Sequence, residues 1–143
     1  AIRAVKAVMP EVGLTILDAP PGTSCPVVET LRGSDYVLLV TEPTPFGLHD
    51  LKLAVEMVRT LKMPMGVVVN RAGTGNGKVR AYCANRRIPV LTEIPDDRAV
   101  AEAYSRGEMI ARTVPGYAER FAELLDRLDE ALLWATNRGG RDA

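Results

Sequence analysis

An incomplete, doubly wound α/β fold, with a mostly parallel sheet and helices on both faces, is the architecture this sequence predicts. Three observations predict it. Short apolar runs without polar alternation recur at residues 13–18, 36–41, 66–70 and 90–94, bounded by Pro, Gly, Asn or Asp. Runs of that kind are buried on both faces, as in a parallel sheet between helical layers. Helical patterns alternate with them, and parallel neighbours need right-handed crossovers, so the β-α-β-α rhythm leaves a doubly wound sheet. Finally, 143 residues with 47% hydrophobic content allow one compact core and no more.

Along the chain, residues 1–9 show a short helical pattern that Pro10 ends, and the first apolar run, Gly13 to Asp18, reads as a buried strand. Cys25-Pro26 marks a helix start. After the second strand, Tyr36 to Thr41, a helix is predicted from His49 to Lys62, because Leu51, Val55, Val58 and Leu61 recur at three- to four-residue spacing. The third strand is Gly66 to Asn70, followed by a helix from Lys78 to Asn85. The fourth is Val90 to Ile94, followed by a helix from Arg98 to Arg106 that Asp96 or Asp97 is placed to cap. A long closing helix runs from Pro115 to Ala135 with Tyr117, Phe121, Leu124, Leu128 and Leu132 as its apolar stripe. Residues 1–136 are expected to form a single domain and 137–143 a flexible tail.

Composition narrows the function classes. Lys+Arg 18 against Asp+Glu 18, without basic blocks, gives no electrostatic footprint for nucleic acid or an acidic membrane. The acidic polar face of the closing helix points the same way. The longest apolar runs are strand-sized, short of the ~20 residues a spanning helix needs, so no membrane insertion is expected. Cys25 and Cys83 stand far apart without a Cys-x-x-Cys partner, which suits reduced thiols in a cytoplasmic protein.

Ligands of parallel sheets bind at the carboxyl ends of the strands, so the polar residues there are the candidates. Asp18 ends the first run and is followed by Pro20, Pro21 and Gly22. A lone carboxylate on a stiff elbow can hold Mg²⁺ directly or through a water, and Gly22 lets a backbone N–H approach a terminal phosphate. The plainer alternative is an aspartate that caps a turn. Asn70, with Arg71 after it, offers an amide whose donor and acceptor match an adenine edge; the alternative is an Asn bonding its own turn. Thr41-Glu42-Pro43-Thr44 and Pro95-Asp96 lie at the remaining tips. Nothing matches G-x-x-x-x-G-K-[ST]. The stretch from Gly73 to Val79 fails that pattern, having Ala72 where the first glycine belongs and Val79 where Ser or Thr should reach Mg²⁺. It is read as a flexible glycine loop near a base pocket. Cys25 at a helix start could be reactive or merely space-filling, and His49 has no triad partners.

Four stretches carry a family resemblance: Asp18-Ala19-Pro20-Pro21-Gly22-Thr23-Ser24-Cys25-Pro26, Val40-Thr41-Glu42-Pro43-Thr44-Pro45-Phe46-Gly47-Leu48-His49-Asp50-Leu51, Val67-Val68-Val69-Asn70-Arg71, and Ile88 to Asp97. Through them the chain resembles the carboxyl-terminal half of the MinD/ParA-type (deviant Walker A, SIMIBI class) P-loop ATPases. The closest branch is the one with an inserted ferredoxin domain, labelled cobyrinic acid a,c-diamide synthase-like. The resemblance implies a P-loop NTPase-like fold, with Asp18 as the magnesium-site carboxylate and Pro20 to Gly22 as the γ-phosphate switch. It makes Asn70 and Arg71, with Pro95 and Asp96, the adenine contacts. It implies ATP and Mg²⁺ as cofactors, 4Fe-4S clusters in a part not present here, and as partner either a second copy or a missing amino-terminal half. Without the phosphate loop, the segment alone is expected to be inactive. A non-catalytic α/β interaction module is the alternative.

Overall fold

The computed structural model describes residues 13–139, with side chains to residue 135. In chain order the elements are α1 (Cys25–Leu31), β1 (Val37–Thr41), α2 (Pro45–Thr60), β2 (Met65–Ala72), α3 (Lys78–Asn85), β3 (Val90–Pro95), α4 (Arg98–Ser105), α5 (Ile110–Thr113) and α6 (Tyr117–Gly139). The three strands form one parallel sheet in the order β1-β2-β3. β1 pairs with β2 without interruption from Val37↔Met65 to Thr41↔Val69. β2 pairs with β3 through Val67↔Val90, Val69↔Glu93 and Ala72↔Pro95, with irregularities after Val67 and after Val69.

The main core lies where α2 and α3 cover one sheet face: Leu51 and Val55 of α2, Val67 and Val69 of β2, and Val79 and Cys83 of α3 pack together with Ile88. Val55, Val67 and Cys83 are wholly excluded from solvent. Desolvation raises the Cys83 thiol pKa, so it serves as packing, not as a nucleophile. A second cluster joins Ala103 of α4, Val114 and Tyr117 to Ile94 and Phe121, which brings the α4–α6 layer against β3. From α6, Arg120 donates to the Glu93 carbonyl at 2.9 Å and Arg127 donates to the Leu91 carbonyl, so guanidinium groups occupy the outer edge of β3. Opposite α2 and α3, at the β1 end, Leu38 and Val40 are 36% and 63% exposed. Apolar residues of a parallel sheet in that state mark a face that, among the described residues, no layer covers.

Several boundaries differ from those read in the sequence. Residues 14–20 form no strand; Leu14 and Ile16 are 58% and 80% exposed. A parallel strand is held by its ladder, and none of the three strands pairs with this segment. α2 starts at Pro45, not His49, because the Thr44 side chain accepts from the Gly47 N–H at 3.0 Å and Pro45 takes the first turn. Asp97, rather than Asp96, caps α4 by accepting from the Ala99 N–H at 2.8 Å. The closing helix begins at Tyr117 and continues to Gly139, through the start of the expected tail. The helix expected over residues 1–9 and the last four residues lie outside the described part.

Candidate functional site at the strand tips

The carboxyl ends of the three strands meet around Arg71. β2 runs on to Ala72, so Asn70 is half-buried inside the strand and not at its tip. The ladder to β3 breaks between Val69 and Ala72, and within that break Arg71 adopts φ 52, a left-handed conformation that is rare for a residue with a side chain. The twist throws its guanidinium across both neighbouring tips: Arg71 Nε donates to Asp96 Oδ1 at 3.1 Å, and Arg71 Nη1 lies 3.7 Å from Glu42 Oε2. The hydrogen bond to Asp96 and the charges of Asp96 and Glu42 raise the Arg71 pKa above its ordinary value. All three side chains are about half exposed, so water screens the network and its contribution to stability is small. Its value is positional. Backbone pairing reinforces it, since the Asp96 N–H donates to the Ala72 carbonyl at 3.1 Å.

The structure therefore brings Arg71, Pro95 and Asp96 together and sets Asn70 one residue behind them. Asp18 and Gly22 lie outside the sheet. Both are exposed, and among the described residues no hydrogen bond or ion pair ties Asp18 to the tips. Asp18 is thus not at the end of a sheet strand as the apolar run suggested. Gly22 has φ 94 with open space around its Cβ position, so backbone conformation, not crowding, is what requires glycine there.

Two features escaped sequence reasoning. Glu42 was noted at its tip but not as the second carboxylate on Arg71; a charge that meets its partner only across a parallel ladder leaves no local pattern. The glycine loop after β2 is also tied down: Thr74 Oγ1 donates to the Arg71 carbonyl at 2.8 Å, and a Cβ on Gly75 would lie 2.3 Å from the Pro43 carbonyl oxygen. Gly75 is small because the loop after β2 packs directly against the loop after β1.

The donor set can be tested against the implied cofactors. Among the described residues no group of three or more His, Cys, Asp or Glu could cage a metal ion. A single exposed carboxylate, Asp18, fits Mg²⁺ that keeps most of its ligands from water and substrate phosphates. A 4Fe-4S cluster needs four thiolates, and Cys25 (exposed) and Cys83 (buried) do not supply them, so a cluster does not fit this chain alone. No described helix is long and apolar enough to cross a membrane.

No family model matches the chain. It is 39% identical over 95 residues to an uncharacterized protein of Methanocaldococcus jannaschii, covering 66% of this chain and 32% of that protein. Over 115 residues it is 30% identical to the iron-sulfur cluster carrier protein of Aquifex aeolicus, covering 70% of this chain and 32% of that one. The chain thus spans about a third of the length of these relatives. The crystal structure of the Pyrococcus furiosus cell division ATPase MinD superposes with a TM-score of 0.72 at 20% identity, covering 90% of this chain and 56% of MinD.

Proposed function

We propose, on the premise that the chain is of the MinD/ParA type, that it is the base-recognising and switch-bearing segment of an ATP-dependent switch protein. The observation that carries the proposal is the meeting of β2 and β3 at a strained, bulged tip, where Arg71 spans Glu42 and Asp96. In this reading Asn70 and Arg71 with Pro95 and Asp96 contact the adenine. Asp18 would hold Mg²⁺, whose charge would neutralise the phosphates when bound, and Gly22 would offer its N–H to the terminal phosphate. The phosphates themselves need a loop that this segment does not carry, supplied from elsewhere in the polypeptide or by a partner. Such a partner, a second copy or an amino-terminal half, would also give β1 the neighbouring strand that it lacks among the described residues.

The likeness to an iron-sulfur cluster carrier supports a role in cluster or metallocofactor handling, with the cluster ligands outside this segment. A cytoplasmic location accords with that role. The exposed apolar edge also favours a second reading, a non-catalytic interaction module that docks another chain. One experiment separates them: read the coding sequence upstream of Ala1, express the protein with it, and measure ATP hydrolysis. The switch reading expects Mg·ATP turnover by the extended protein and negligible calorimetric binding by the 143-residue chain alone. An extended protein that neither binds nor turns over ATP yet captures a strand-supplying partner establishes the docking module instead.

A further inference from the structure

A half-open cavity of about 260 Å³ between the amino-terminal halves of α2 and α3 has no part in the proposed function, and none of Asn70, Arg71, Pro95 or Asp96 is in its wall. Leu48 and the buried Val79 give it apolar walls, while His49, Lys52, Asn76 and Lys78 bring polar groups around it; no carboxylate lines it. Among the described residues neither lysine forms an ion pair, the nearest interaction being Lys52 Nζ at 5.8 Å from the centre of the Tyr82 ring. Elsewhere on this rim and beside it cations are matched: Arg71 with Asp96 and Glu42, Arg80 with Glu93, Arg86 with Glu56. A concave site that gathers two ammonium groups and an imidazole with no acid among them raises the local potential and selects anions.

We propose that this cavity binds an oxyanion carried on a small molecule with an apolar body. Lys52 and Lys78 supply the charge-assisted hydrogen bonds, Asn76 and His49 supply further donors, and Leu48 with Val79 covers the apolar part. A water occupies about 30 Å³ of liquid, so the volume leaves room for several heavy atoms beyond the charged group. The glycine-rich loop before α3 thus contributes to an anion site after all, through the side chains of Asn76 and Lys78 and not through a backbone cradle. This site is separate from the proposed base pocket and does not depend on the chain being part of an ATPase.

The test is a ¹H–¹⁵N titration of the folded 143-residue chain with phenyl phosphate, inorganic phosphate and benzoate, without magnesium or nucleotide. Phenyl phosphate is expected to bind saturably at 1:1, to shift the amides of the α2 and α3 first turns, and to bind more tightly than inorganic phosphate. K52M and K78M, which keep the aliphatic stems, should each weaken binding about tenfold, the effect of losing one charge-assisted contact, while K78R retains it. Phenyl phosphate above benzoate identifies a phosphate ester as the natural ligand class, and the reverse order a carboxylate. Unsaturable shifts, shifts scattered over the surface, or unchanged affinity in K52M and K78M would overturn the proposal.

Discussion

Replacement of Asp18 by alanine is expected to lower ATP turnover of the extended protein by about a hundredfold, the scale on which loss of one positioned electrostatic group acts in a transition state. The effect should fall on kcat more than on KM, because under the proposed switch function the carboxylate would act where charge develops during phosphoryl transfer and not on the base. The fold should be spared: Asp18 is exposed and lies outside the sheet, so the substitution belongs with surface changes worth within about 0.5 kcal/mol. Steady-state kinetics beside urea unfolding separates the two quantities. Wild-type turnover in the variant would remove Asp18 from the mechanism.

Gly47→Ala is expected to destabilise the chain by about 3 kcal/mol, at the upper end of overpacking costs, and to do so through position and not through helix propensity. Alanine is the better helix former, so propensity alone predicts a gain. Against this, a Cβ on Gly47 would sit 2.3 Å from the Glu42 carbonyl oxygen and 3.1 Å from Thr41 Oγ1. Neither neighbour is free to yield. Glu42 follows β1 directly, and Thr41, itself buried, donates its hydroxyl to the Gly47 carbonyl at 2.9 Å. The helix start must therefore back away from the strand, at the cost of the Thr41 hydroxyl's bond to the Gly47 carbonyl. Chemical denaturation should show a lower midpoint with an unchanged slope, and a wild-type midpoint would mean that the helix start moves at little cost.

How far the sequence revealed this architecture depends on where the needed information is stored. The run at β2 was legible because a strand buried on both faces writes its environment into every residue, as Val67, Val68 and Val69 do, and those at β1 and β3 because they are short and apolar and bounded by turn residues, although Leu38 and Val40 of β1 are exposed. α3 and α4 were legible to within a residue of their ends. The segment from Leu14 to Asp18 carries the same signature yet stands outside the sheet, since apolar composition records what a segment is suited to pair with and not whether the partner is at hand. At the candidate site, the meeting of Arg71, Pro95 and Asp96 was legible because parallel strands bring their carboxyl ends together, whereas Asn70 lies one residue inside β2 and not at its tip. The left-handed Arg71 and its reach to Glu42 were not, because a bulge depends on register between strands that lie far apart in the chain.

The arginines that α6 lays along β3 have a consequence for assembly. With the carbonyls of Leu91 and Glu93 already engaged by Arg127 and Arg120, an incoming chain finds its acceptors taken on that side, whereas among the described residues no strand pairs with the flank beyond β1. Among the described residues the sheet is a one-ended template: closed by cations at its last strand, it can lengthen only beside its first.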